Sequence, residues 1–103
     1  MEQQLTPLIL KEQEFFGKMD FKVLVDIQQS LKKIHGEKLT MSEIFAEIDE
    51  QNYAVIMEII IQSIRRNHPQ IKREYIEDRI GLADVSVVTS YVIELIGNSL
   101  PNG

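Results

Sequence analysis

The sequence predicts a mainly α-helical fold: a single compact bundle of about five helices, with room for a short β-hairpin ahead of it. Three observations carry this. Apolar residues recur at spacings of three and four over most of the chain. Capping residues and glycines bracket those runs. The length of 103 residues fits one domain. Such a chain buries roughly two-thirds of the surface its unfolded form exposes, enough for a core without disulfides or metals.

At the N-terminus, Pro7-Leu8-Ile9-Leu10 and Glu14-Phe15-Phe16 flank Lys11-Glu12-Gln13. Two short strands with Lys11 to Gln13 as the turn fit this pattern. They must pack on helices, because an isolated hairpin is only marginally stable. Asp20 reads as the N-cap of a first helix whose face is Phe21, Leu24, Ile27, Leu31 and Ile34, widened by Val23. Lys32 and Lys33 suit its last turn and Gly36 its C′ position.

Thr40-Met41-Ser42-Glu43 reads as a capping box for a short second helix through Met41, Ile44, Phe45 and Ile48. Asp49 or Asn52 can cap a third, from Tyr53 to about Asn67, which Pro69 ends. Val55, Ile59 and Ile61 make this helix apolar nearly all round, the pattern of a central buried element. Ile71, Tyr75, Ile76 and Ile80 predict a shorter amphipathic helix stopped by Gly81. The last segment, 84–96, is rich in β-branched residues, which favours strand. Its length and its apolar spacing at Val85, Val88, Val92 and Leu95 favour helix, with Gly97 as the stop. Residues 1–6 and 98–103 are expected to be loose, as termini commonly are.

Composition narrows the function classes. With no cysteine, disulfide scaffolds, zinc-thiolate sites and thiol chemistry are excluded, and a reducing cytosol suits the chain. No apolar run approaches the ~20 residues needed to cross a bilayer, so no membrane role is expected. A net charge of −5 opposes nucleic acid as the main partner. Charge is uneven, however. Glu43, Glu47, Asp49, Glu50 and Glu58 occupy a stretch with no base, and Arg65, Arg66, Lys72 and Arg73 follow in one with no acid. Two solvated helix faces explain this, and so does orientation of a partner or a second copy.

Reactive chemistry is not visible. No G-x-S-x-G elbow, no clustered glycine loop and no H-E-x-x-H is present. His35 and His68 each sit near a helix C-terminus, where imidazole commonly caps carbonyls, and neither has carboxylates at ligand spacing. No catalytic, metal or cofactor residue is expected. The residues singled out for contact with another protein are Val25, Val55, Ile59, Ile61, Arg65 and Arg66. The four aliphatic ones fall partly off the inward faces, which fits either a helix packed on two sides or an exposed apolar patch.

The run from Phe21-Lys22-Val23-Leu24-Val25-Asp26 through Gln28-Gln29-Ser30 to Lys32-Lys33-Ile34-His35-Gly36 is followed by a short Glu43-Ile44-Phe45 helix. Next come an aliphatic helix ending Ser63-Ile64-Arg65-Arg66-Asn67-His68-Pro69, the segment Ile71 to Ile80, and a closing aliphatic helix. This order resembles the small tail assembly chaperones of long-tailed bacteriophages, prophages and gene-transfer agents, over about residues 8–96. The likeness is one of apolar spacing and helix order, without a signature motif. It implies a mostly helical protein, commonly with a hairpin before its first helix. It also implies action in the host cytoplasm, binding the phage tape measure protein and tail tube protein and keeping them soluble, and absence from the mature virion. A small oligomerising structural or adaptor protein and a helical DNA-binding regulator are the alternatives.

Overall fold

A computed structural model describes residues 5–37 and 39–99, apart from the side chains of His35 and Ser99. In chain order the elements are strands β1 (Thr6–Leu10) and β2 (Gln13–Gly17) and helices α1 (Phe21–His35), α2 (Met41–Asp49), α3 (Tyr53–Asn67), α4 (Arg73–Glu77) and α5 (Val85–Ser99). A single 3-10 turn over Leu82–Asp84 leads into α5. The fold is thus mainly helical, with a two-stranded antiparallel hairpin at its N-terminal end. Its radius of gyration, 12.9 Å, is that of a compact domain of this length.

The caps form much as the residue types dictate. The Asp20 carboxylate accepts from the Val23 N–H at 2.9 Å, and Gly36 ends α1 with φ 81 while its N–H bonds Lys32 O. The capping box of α2 is complete: Glu43 N–H donates to Thr40 Oγ1 at 3.2 Å, and Thr40 N–H donates to Glu43 Oε1 at 2.8 Å. Of the two candidate caps for α3, Asn52 takes the position and accepts from the Ala54 N–H.

Helix α3 is the axis of the molecule. Val55, Ile56, Ile59, Ile60, Ile61 and Ile64 are all at most 1% exposed, because α1, α2, α4, α5 and β2 all pack against this one helix. The bundle closes with Val23, Ile27 and Leu31 from α1, Ile44 and Ile48 from α2, Ile76 from α4, and Val88, Val92 and Leu95 from α5. The hairpin lies over it with Thr6, Leu8, Leu10 and Phe15 inward, β1 against α5 and β2 against α3.

Several expectations are corrected. The hairpin turn is Lys11-Glu12 alone, with φ 48 and 66, and Gln13 already pairs with Leu10. Positive φ at both positions is the type I′ geometry that matches strand twist. Asn-Gly is its usual signal, so Lys-Glu conceals it. Thr6, expected to be loose, is wholly buried in β1, and Asn98 lies in α5, where its Nδ2 donates to Thr6 Oγ1 at 3.2 Å. Of the other residues in that expectation, Ser99 ends α5, Leu5 precedes β1, and 1–4 and 100–103 lie outside the described residues.

On α1, Phe21 and Ile34 stand exposed at the two ends, and Val23 rather than Phe21 faces the core. Helix α4 is shorter than 71–80, since Lys72 offers no side-chain cap and Ile71 and Ile80 reach the core from flanking turns. The β-branched last segment is helical and runs past Gly97. One buried face set by Val88, Val92 and Leu95 outweighs its local preference for strand.

A buried polar contact joins α3 to α5 beneath the hairpin. Ser63 Oγ donates to Ile60 O at 3.0 Å and lies 2.7 Å from Tyr91 Oη, so the tyrosine donates to the serine. Burial holds the Tyr91 phenol well above the usual tyrosine range, against a smaller opposing effect of Ser63. Tyr91 Oη sits so close to Gly17 that an added Cβ would stand 1.7 Å away. Only glycine lets β2 pass here. Gly17→Ala is expected to destabilise the fold by about 2 kcal/mol or more in urea titrations. Tyr91→Phe alone costs about 1 kcal/mol. A double-mutant cycle should show the Gly17→Ala cost reduced in the Tyr91→Phe background, because the nearest clashing atom is gone.

Candidate protein-contact surface

The residues singled out for contact do not share one surface. Val55 and Ile61 are 0% exposed and Ile59 is 1%. The apolar girth of α3 is therefore a helix covered on several sides, and these three are corrected from surface to core. Val25 is half-buried on α1. Arg65 and Arg66 are exposed but engaged: Arg65 Nε donates to Ile71 O at 2.9 Å, and Arg66 Nε pairs with Asp20 Oδ2 at 2.9 Å. Burial raises the Asp20 carboxyl, yet the Val23 N–H and Arg66 together hold it below the usual aspartate range. One aspartate thus caps α1 and ties it to the end of α3.

His68 is half-buried at the C-cap of α3, with Nε2 3.2 Å from Asn67 Nδ2. The side chain of His35 lies outside the described residues. Among the described residues, no group of three His, Asp or Glu could hold a metal ion, and no helix is long and apolar enough to cross a membrane.

The exposed apolar surface lies elsewhere. A groove of about 450 Å³ runs between the first half of α3 and the start of α5, lined by Tyr53, Met57, Ile80, Leu82, Val85 and Val88 among others. The 3-10 turn after Gly81 projects Leu82 into solvent at 95% exposure, and Tyr53 is 47% exposed. The Gly81 N–H donates to Asp84 Oδ2 at 2.8 Å, which fixes that turn. Leu82 and the furrow together present apolar surface to solvent. Sequence spacing missed it because Leu82 belongs to no stripe. Its position between Gly81 and Ala83, outside any periodic run, was the only signal.

A second feature is electrostatic. Glu58, on the buried face of α3, is 2% exposed. Its carboxylate accepts from both Arg73 terminal nitrogens of α4, Nη1 at 3.2 Å and Nη2. Gln62 Nε2 also donates to it at 3.0 Å, and to Ser30 Oγ on α1 at 2.9 Å. Burial pushes this carboxyl up, but the Arg73 and Gln62 hydrogen bonds, the Arg73 charge and Ser30 more than offset it, leaving it below the usual glutamate range. The acid that looked like one more solvated charge in the sequence joins three helices.

Comparison with protein-family models, with curated proteins and with solved structures gave no match to this chain.

Because the folded carboxyl titrates lower than its ordinary value of 4.5, the stability it contributes is present above that value. It is lost as pH falls through the lower folded value. Thermal melts should therefore fall below about pH 4.5, and Glu58→Gln should flatten that slope while lowering stability at neutral pH. Removing one partner of a fully buried pair costs ~3–5 kcal/mol. Arg73 is 40% exposed, so Arg73→Ala is expected nearer ~2 kcal/mol by chemical denaturation.

Proposed function

We propose that this is a non-catalytic protein-binding protein acting as a phage tail assembly chaperone. In this reading it binds the tape measure protein and tail tube subunits in the host cytoplasm and keeps them soluble until they polymerise. Two things support it. One is the likeness in helix order and apolar spacing from Phe21 to the closing helix. The other, which carries the reading, is the apolar groove with Leu82 standing beside it on a chain of net charge −5. A holdase needs that combination, an apolar contact for its client and net charge for its own solubility.

A second reading, a small oligomerising adaptor, has one observation in its favour. Acids cluster on α2 and its C-cap at Glu43, Glu47, Asp49 and Glu50, whereas Arg65, Arg66 and Lys72 gather at the far end of α3. Head-to-tail association through such ends weakens as salt screens it, which sedimentation at two ionic strengths reads directly.

The chaperone reading is tested by co-elution of the purified chain with a tape measure fragment from the same genome. Leu82→Asp should weaken that complex by about tenfold or more. Its melting temperature should stay within a few degrees of wild type, since a side chain this exposed contributes almost nothing to the core. If the unaltered chain retains no tail protein, the reading is wrong.

A further inference from the structure

The two edges of the hairpin differ. At the end of β2, Phe16 O accepts from Asn67 Nδ2 at 3.1 Å and the N–H of Lys18, just past the strand, donates to Ser63 O at 2.9 Å, so both turn their backbone groups away from β1. Helix α3 covers the Phe16–Lys18 end of that edge. An antiparallel ladder alternates, so Gly17, Phe15 and Gln13 bond inward to Thr6, Leu8 and Leu10. Pro7 and Ile9, opposite Phe16 and Glu14, must then direct their backbone groups outward. Pro7 has no N–H to lose there, which is why an edge strand tolerates it. Among the described residues, no partner covers the Ile9 N–H and C=O or the Pro7 C=O.

Pro7 removes one donor from this short edge, but no charge guards the rest of it. Natural edges are blunted by lysine or covered by another element, but Leu5-Thr6-Pro7-Leu8-Ile9-Leu10 carries no charge. Ile9 is 58% exposed and Val87, across from it on α5, is 44%. Between them runs a groove of about 420 Å³, lined by Pro7, Ile9, Val87 and Ser90 with the exposed carboxylates Glu14 and Glu94. Among the described residues, no Lys or Arg lines it. A strand edge beside a helix is the geometry in which proteins accept an extended peptide as an added strand.

We propose that β1 takes an extended segment of a partner protein as a third strand, seated against α5, in which apolar residues alternate with Lys or Arg. Alternation follows from the strand itself, since successive side chains point to opposite faces. The basic residues follow from Glu14 and Glu94. A second copy fits less well: pairing β1 with β1 of a like chain would bring four carboxylates to one seam between two chains of net charge −5. The proposal rests on the protein-binding reading above and names the kind of client segment held.

Fluorescence anisotropy with two labelled, end-capped peptides of roughly eight residues tests it. One alternates Val with Lys, the other Val with Glu. The Lys peptide is expected to bind the full chain, and the Glu peptide at least about tenfold more weakly. Ile9→Pro deletes the outward N–H without touching the ladder and should cost about tenfold for the Lys peptide. Glu94→Lys, on the exposed face of α5, should narrow or reverse the preference, a readout that survives if Ile9→Pro fails to fold. Absence of binding, equal binding of the two peptides, or an Ile9→Pro chain that folds and binds unchanged would overturn the proposal. So would a dimer of the free chain that Ile9→Pro dissociates, because the occupant would then be a second copy. Tape measure co-elution that persists when these peptide results fail would sink the edge site alone and leave the chaperone reading standing.

Discussion

The middle of one helix has almost no face it can show to water, and the rest of the chain is arranged to cover it. Helix α3 carries aliphatic side chains around nearly its whole circumference. A surface helix needs one neighbour to hide its stripe, whereas a helix of this kind needs several. Helices α1, α2, α4 and α5 and strand β2 are those neighbours. Two of them, α1 and α5, are as long as α3 itself, and the shorter α2, α4 and β2 fill the remaining sides.

Burying that helix all round also forces decisions on its polar residues. Glu58, Gln62 and Ser63 lie among the aliphatics, and each is answered by a partner from a different element: Arg73 from α4, Ser30 from α1 and Tyr91 from α5. A burial that left any of them unpaired would cost more than the hydrogen bond itself. Among the described residues, no buried side-chain nitrogen or oxygen lacks a partner. The polar contacts therefore set rotation and register, while the aliphatic contacts supply most of the stabilisation.

What the sequence revealed follows the range of the interactions involved. Caps and helix spans were legible because Asp20, Thr40, Glu43, Asn52 and Gly36 act within a few residues of themselves. The central place of α3 was legible because apolar residues all round a helix leave few alternatives. The type I′ turn was hidden, since Lys11 and Glu12 adopt positive φ only under the pull of the paired strands. For Val55, Ile59 and Ile61 the spacing favours a helix packed on two sides over an exposed patch, and the neighbours that surround α3 decide for the core. The groove beside Leu82 and the open edge of β1 could not be read at all. Each depends on where residues distant in sequence come to rest.

The first strand of the fold is completed by its last helix. Asn98 reaches Thr6 across 92 positions of chain, and the inward side chains of β1 rest on α5. During synthesis β1 precedes α5, so Leu8 and Leu10 stay without that cover until α5 has followed. Closure of the core is a late, long-range event, of the slow kind that loop entropy imposes. Until α5 docks, the growing chain carries greasy surface of its own and is as much in need of shielding as any partner it could meet.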